Sequence, residues 1–255
     1  MKNNPLFTVI TVCYNSQKTI KNTIESLLFQ SFNDFEFIII DGNSSDDTFE
    51  IIKSFDLKFK EKGIVYKYIS EPDKGIYDAW NKGVKMSSGT WLSFIGSDDF
   101  YLNNALELYY TQIIDLDDDI NFISSKVELI DSNFKKIREI GKKYSSKTII
   151  NKMSIAQIGS FHKRILFEEI GLFNINYTIA GDFDFYIRGR NIIKPVFLNI
   201  ITAKMMDGGV SNNSFKALKE GAEIKINLNV SSVFSAKKEF YLSYIKCQIK
   251  KVIGI

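Results

Sequence analysis

The 255-residue sequence holds one histidine, His162, and two cysteines, Cys13 in an apolar run and Cys247 near the end. So few soft ligands exclude a Cys/His metal cluster and a disulfide framework, and they point to a reducing, cytoplasmic setting. Only three prolines occur, while 45% of residues are hydrophobic and 14% aromatic, which excludes a disordered or fibrous chain. Charge of one sign is also lacking. With 33 basic and 30 acidic side chains the net charge is +3, too small to hold nucleic acid by field strength, so no nucleic-acid partner is expected. No apolar run reaches the roughly 18 to 20 residues that span a bilayer. The opening MKNNPLFTVITVCYN is shorter and meets no small-residue cleavage site, so it reads as a buried strand. Any membrane contact is left to the surface.

What is present is an alternation. Along the first hundred residues, short apolar β-rich runs alternate with segments of helical period, the pattern of a mostly parallel α/β sheet with helices on both faces. Strands are predicted at Phe7–Cys13, Phe35–Ile40, Val65–Ser70 and Trp91–Ile95. Between the first two, Ile20, Ile24, Leu27 and Leu28 recur at helical spacing behind Ser16 or Asn15 as N-cap. Asp46, Asp47 and Thr48 open a second helix with Phe49, Ile52 and Phe55 on one face, its acids placed at the positive end of the helix dipole. A third helix runs from Ile76 to Met86. Beyond residue 100 the pattern is mixed: a helix at Ala105–Ile114, extended stretches at 122–129 and 135–140, and a polar loop at 142–147. Helical period returns at Ile165–Ile170 and Phe183–Arg190, before an apolar run, Val196–Ala203, that leads to a turn at Asp207-Gly208-Gly209.

Ligands of such a sheet bind outside the carboxyl ends of its strands. The strand ends here are Thr11-Val12-Cys13-Tyr14-Asn15, Asp41-Gly42-Asn43-Ser44-Ser45-Asp46, Glu71-Pro72-Asp73-Lys74-Gly75 and Gly96-Ser97-Asp98-Asp99. Carboxylates so placed bond a base or ribose hydroxyl and hold a hard divalent cation that bridges phosphate oxygens, so a nucleotide diphosphate is the implied ligand. The first turn, CYNSQ, lacks the Gly-x-Gly-x-x-Gly of a dinucleotide fold and the Gly-Lys-Ser/Thr of a phosphate loop, which excludes hydride transfer and ATP hydrolysis. It also lacks the glycine-rich basic turn of a nucleotidyltransferase. Phosphate charge then falls to a metal and scattered cations. An Asp-Asp pair alone is an ordinary turn or helix cap; Asp98-Asp99 in register with two other acidic strand ends reads as a site.

VITVCYN, DGNSSDDT, EPDKGIYDAWNKG, GSDD and GDFDFYIR together resemble, in this order, the family 2 glycosyltransferases of the GT-A fold over most of residues 6–210. The third motif is most similar to members that build bacterial surface polysaccharide, O-antigen or capsule, on a lipid carrier. The resemblance implies a Rossmann-like, mostly parallel central sheet flanked by helices across 1–213, with a nucleotide-binding half (1–100) and an acceptor-binding half (101–213). It implies Thr11, Tyr14 and Asn15 lining the nucleotide site, Asp41 on the base, and Asp73 near base or ribose with Lys74 beside it. Ser97 occupies the first acidic place of the family's Asp-x-Asp, which leaves Asp99 as the direct ligand of Mn²⁺ or Mg²⁺ and Asp98 on ribose or a water of the metal. Asp182 is the implied acceptor base, with Asp184 in reserve or capping the helix. The activity implied is inverting transfer of a hexose or N-acetylhexosamine from a nucleotide diphosphate sugar, UDP first among the nucleotides. The acceptor implied is a hydroxyl of an undecaprenyl diphosphate-type, lipid-linked glycan at the inner face of the cytoplasmic membrane.

Several residues keep two readings. Trp80 packs against the donor or fills the helix–sheet interface, and the latter is favoured. His162, between Phe161 and Lys163, reads as structural ahead of acid–base or metal chemistry. Arg188 pairs with Asp184 along a helix or meets a phosphate. Gly208-Gly209-Val210-Ser211 reads as a loop that closes over the diphosphate. The 214–255 tail carries Lys216, Lys219, Lys225, Lys237, Lys238, Lys246, Lys250 and Lys251 against Glu220, Glu223 and Glu239, with Phe240, Tyr241, Tyr244, Ile245, Ile249 and Val252 interleaved. It is expected to form an amphipathic helical segment that lies on anionic lipid or packs on its own domain. The alternative to an enzyme is a non-catalytic nucleotide-sugar or glycan-binding partner of an assembly complex, which has no need to keep Asp41, Asp73, Asp99 and Asp182 together.

Overall fold

The structure is a computed structural model that describes residues 4–151, 153–209 and 214–252. Strand β1 (Phe7–Cys13) is apolar on both sides because both faces of its sheet are covered. Phe7 and Val9 point to one core and Ile10 to the other. β2 (Phe35–Asp41) divides likewise, with Phe35, Phe37 and Ile39 on the first face and Ile38 and Ile40 on the second. β3 (Val65–Ser70) and β4 (Trp91–Gly96) complete a parallel set in the order β3-β2-β1-β4. The chain leaves β1 to one side and returns to β4 on the other, so the order reverses beside β1.

Helices cover each face as the periodicity predicts. On the first lie α1 (Ile20–Leu28), α2 (Thr48–Lys53), α3 (Asp56–Glu61) and α5 (Ala105–Ile113). On the second lie α4 (Ile76–Met86), α6 (Ile165–Glu169) and α7 (Gly181–Arg188). Two local expectations change. Helix α1 begins at Ile20 with Thr19 at its N-cap, because Asn15 bonds Ser45 N–H at 2.9 Å and the Ser16 hydroxyl lies 2.9 Å from that of Ser97. The single helix opened by Asp46 and Asp47 is two short ones, with Phe55 at the break turned into the core.

Beyond β4 the sheet continues through β8 (Ser160–Lys163), β6 (Phe122–Ile130), β9 (Pro195–Met206) and β5 (Phe100–Tyr101), with β7 (Lys136–Ile140) paired to β6. Six of these nine strands share one direction, and β5, β7 and β8 run against them. The four-residue β8 is too short to show a period. It carries His162 into the core, fully buried between Leu92 and Phe122 of the neighbouring strands. There Nε2 lies 2.9 Å from the Tyr186 hydroxyl and Nδ1 3.2 Å from the Leu92 carbonyl oxygen. Trp80 is likewise core, its ring 4.8 Å from Phe94 and 5.2 Å from Phe173.

The tail forms α8 (Ser214–Asn227) and α9 (Val233–Val252). Ile224 of α8 packs with Tyr177, Ala180, Phe183 and Ile187 against α7, so this part of the tail belongs to the domain. Phe240 and Tyr244 of α9 meet Phe215 of α8 at 5.5 and 5.1 Å, while Phe234, Tyr241, Leu242, Ile245 and Ile249 face outward.

Burial holds His162 neutral by lowering its value from 6.5 to about 4. Because the folded value lies below the unfolded one, the neutral form's stability is intact above pH 6.5 and is lost as pH falls towards 4. Urea unfolding at pH 7 and pH 5 should show a loss of roughly 2 kcal/mol in wild type that is missing from His162→Gln. Equal losses in the two proteins would assign the titration to another group.

Candidate active site

The acidic end of β4 lies beside the polar end of β1 because the two strands are neighbours. Past β4 the backbone turns tightly, with Asp99 N–H bonding the Gly96 carbonyl at 3.3 Å. The turn folds both carboxylates back over Gly96. A Cβ at that position would stand 2.8 Å from Asp99 Oδ2 and 2.9 Å from Asp98 Oδ1, so only glycine leaves the space. Asp99 is 8% exposed; its Oδ1 accepts Met206 N–H at 2.9 Å, and its carbonyl accepts the Thr23 hydroxyl at 2.7 Å. Burial and then the Asp98 charge push the Asp99 carboxyl up to about 7, and burial raises Asp98 too. Neither meets a cationic side chain among the described residues. Two converging carboxylates without a counter-charge suit a hard divalent cation such as Mn²⁺ or Mg²⁺. The described residues offer no group of three His, Cys, Asp or Glu for a metal, so ligand oxygens and water would complete its shell.

The other strand ends build the neighbouring wall. Asp41 is fully buried and accepts the Ser70 hydroxyl at 2.5 Å, Ser44 N–H at 3.1 Å, the Ser44 hydroxyl and the Cys13 thiol at 3.6 Å. Ser44 stands in DGNSSDDT and Ser70 at the end of β3, and nothing local marks either as a partner of Asp41. Asp73 leans over Gly42, where an added Cβ would lie 2.6 Å from its Oδ2, and its Oδ1 accepts Gly75 N–H at 2.8 Å. The Asp73 carboxylate thus lies against the residue that follows Asp41 in the chain. Asn15, in left-handed backbone with φ of 49°, takes Ser45 N–H on its side chain and gives its own N–H to Ser44 at 2.8 Å. Its structural task is to join the first two strand ends. Tyr14 beside it is 64% exposed and Lys74 is exposed. Thr11 is fully buried in β1 at a position that shares the face of Phe7 and Val9, and its hydroxyl has no partner among the described residues.

Asp182 lies in the first turn of α7, partly buried. Its Oδ1 accepts Phe183 N–H at 2.8 Å and the Tyr77 hydroxyl at 3.2 Å, which leaves Oδ2 without a hydrogen bond among the described residues. Burial pushes this carboxyl up to about 6 against the lowering effect of those bonds. Tyr77, in the first turn of α4, also donates to the Ile179 carbonyl at 2.7 Å and so ties the two helix starts together. Its place in EPDKGIYDAW was its only signal in the sequence. Asp184 faces elsewhere: 2% exposed, it pairs with Arg188 at 2.8 Å, and that guanidinium caps the carbonyls of Ile170 and Leu172 at 2.5 and 2.8 Å. The helical pair, not a base or a phosphate ligand, is what these two residues form. In the 208–211 segment, residues 210 and 211 lie outside the described residues.

The family described as Glycosyl transferase family 2 matches residues 8–171. A PGL/p-HBAD biosynthesis glycosyltransferase of Mycobacterium bovis is 28% identical over 211 residues, 82% of this chain and 80% of its own. The Escherichia coli UDP-Glc:alpha-D-GlcNAc-diphosphoundecaprenol beta-1,3-glucosyltransferase WfgD is 26% identical over 253 residues, 96% of this chain and 94% of that protein. Among solved structures, S. aureus TarS 1-349 in complex with UDP-GlcNAc has a TM-score of 0.68 at 17% identity, covering 92% of this chain and 70% of that one. The mannosyltransferase PcManGT from Pyrobaculum calidifontis, with GDP-Man and Mn²⁺, has a TM-score of 0.68 at 13% identity, covering 94% and 71%. The fold is GT-A. The family match ends before α7, so Asp182 stands outside it.

Asp99 must lose its proton to hold a cation, and with a value near 7 that requirement bites as pH falls below neutrality. The thermal shift given by Mn²⁺ should correspond to an affinity weaker by about tenfold at pH 6 than at pH 8, and should vanish in Asp99→Asn. A shift insensitive to both changes would put the cation elsewhere.

Proposed function

The chain belongs to the family 2 glycosyltransferases, and from that premise we propose that it moves a hexose or N-acetylhexosamine from a UDP-sugar to a hydroxyl of a lipid-linked oligosaccharide, inverting the anomeric centre. The observation that carries this reading is the joint presence of the paired Asp98 and Asp99 carboxylates at the strand-order reversal and of Asp182 with one free oxygen. The named activity of WfgD, on a diphosphoundecaprenol-linked sugar with UDP-Glc, supports the donor and acceptor classes and a place in bacterial O-antigen or capsule assembly. UDP-GlcNAc bound to TarS supports the donor class on fold grounds.

In this reading the donor base and ribose lie along the wall of Asp41 and Asp73, with Tyr14 covering them. The diphosphate lies over Gly96. A divalent cation held by Asp99 would offset the charge that grows on the leaving diphosphate. Asp182 Oδ2 takes the acceptor hydroxyl proton as that oxygen bonds the anomeric carbon; the bond from that carbon to the diphosphate oxygen breaks on the opposite face, and the diphosphate departs with the electron pair. The product of an α-linked donor is a β-linked sugar. A carboxyl near pH 6 is matched to this task, since it is deprotonated at neutral pH yet more basic than an ordinary aspartate.

The membrane side of the proposal rests on α9. No helix among the described residues is long and apolar enough to cross a bilayer. The outward row of Phe234, Tyr241, Leu242, Ile245 and Ile249, flanked by exposed Lys237, Lys238 and Lys246, is suited to lying on an anionic leaflet, where the lipid-linked acceptor is found.

Asp182→Asn should keep UDP affinity within about twofold and lower turnover 100-fold or more, with the wild-type rate rising through about pH 6 as the base loses its proton. Retained turnover would move the base elsewhere. The double variant Tyr241→Glu/Ile245→Glu should lose flotation with phosphatidylglycerol vesicles while UDP still stabilises it; undiminished flotation would clear α9 of the role.

A further inference from the structure

Helix α7 starts without a cap of its own. Its N-cap residue is Ala180, whose side chain cannot accept a hydrogen bond, and the three residues leading into the helix present their N–H groups to one side. The acceptor comes from the tail. Glu220, in the middle of α8 and 6% exposed, takes Thr178 N–H at 3.0 Å on Oε1, Ile179 N–H at 2.9 Å and Ala180 N–H at 2.9 Å on Oε2, and the Thr178 hydroxyl at 2.8 Å on Oε1. Burial alone would raise this carboxyl, but the amides of Ala180, Ile179 and Thr178 bring it below the usual range, so it stays charged. Across the same peptide, the Ile179 carbonyl accepts the Tyr77 hydroxyl. Residues 178–180 are therefore clamped between α4 and α8, two residues ahead of Asp182.

We propose that Glu220 is a positioning residue for glycosyl transfer: its grip on residues 178–180 sets the start of α7, and with it the direction of Asp182 Oδ2, so that the tail helix is part of the catalytic apparatus. This rests on Asp182 as the base. The groups that face Asp182 are the Tyr77 hydroxyl from α4, the Glu220 carboxylate from α8 and, on its own helix, Tyr186. The nearby negative charge of Glu220 makes proton uptake by Asp182 easier, after the larger effect of burial. Further along α8 the chain is held by Asn227, which donates to the Tyr177 hydroxyl at 3.1 Å, and by Lys225, which pairs with Glu239 of α9 at 2.7 Å. Glu220 and the Lys225–Glu239 pair thus link the outward-facing helix, α8 and the segment ahead of Asp182.

The test uses the full-length protein with UDP-glucose and UDP-GlcNAc as donor probes and a GlcNAc-diphosphate-lipid as acceptor probe, reading UDP release from pH 5 to 9. Glu220→Ala should lower kcat at least tenfold with UDP affinity within about twofold. Glu220→Gln, which keeps one acceptor oxygen and removes the charge, should recover part of kcat while its acid limb moves to lower pH. A simple packing role predicts no such move. If both variants keep the wild-type kcat and acid limb while Asp182→Asn is inactive, the inference falls and the base stands. If Asp182→Asn remains active, or the wild type releases no UDP from either donor, the reading beneath the inference falls instead. Should Glu220→Ala not fold, the limb of Glu220→Gln decides alone.

Discussion

The reversal of strand order beside β1 is the constraint on which the rest of this molecule depends. Connections that leave β1 and β4 in opposite directions cannot close over the sheet's carboxyl edge, and the crevice that results takes in the ends of both strands. Every donor-side feature follows from that edge. Ser16 and Ser97 touch across it, Asn15 ties it to the loop after β2, and β9 runs back to put Met206 N–H on Asp99. The apolar residues on both faces of β1 and β2 hold the edge in place, since each face is buried under its own layer of helices.

Four buried or partly buried aspartates show how one side chain acquires different characters. Asp41 is satisfied by two serine hydroxyls, an amide and a thiol, and forms a fixed part of the wall. Asp184 is neutralised by Arg188 and braces the loop before α7. Asp99 and Asp182 receive less: neither has a cation, burial dominates, and both are raised. A group left undercompensated by its own protein has its strongest interactions still to make; in the proposed function these are with a cation in one case and an acceptor proton in the other.

The tail divides its contacts between two helices. Helix α8 inserts Ile224 and Glu220 into the surroundings of α7, whereas α9 uses Phe240 and Tyr244 to hold α8 and turns a row of apolar residues outward. A surface contact made by α9 would therefore be mechanically continuous with the base.

The sequence alone determined the four parallel strands, α4 and the acidic strand ends, because periodicity of apolar residues and the chemistry of strand ends are local properties read over a few neighbours, while its five ordered motifs carried the resemblance to the family. It also marked Asp98, Asp99 and Asp182. Only the tertiary structure decided which acids share a place, that β8 carries His162 into the core as a structural residue, and that Glu220 is a buried cap and not one more charge on a solvated tail. Those outcomes depend on pairs separated by 24 to 105 residues, such as His162 with Tyr186, Glu220 with Ala180 and Tyr77 with Asp182. The physical reason is that burial and hydrogen-bond satisfaction are set by whatever the fold brings alongside, and no window along the chain contains both partners.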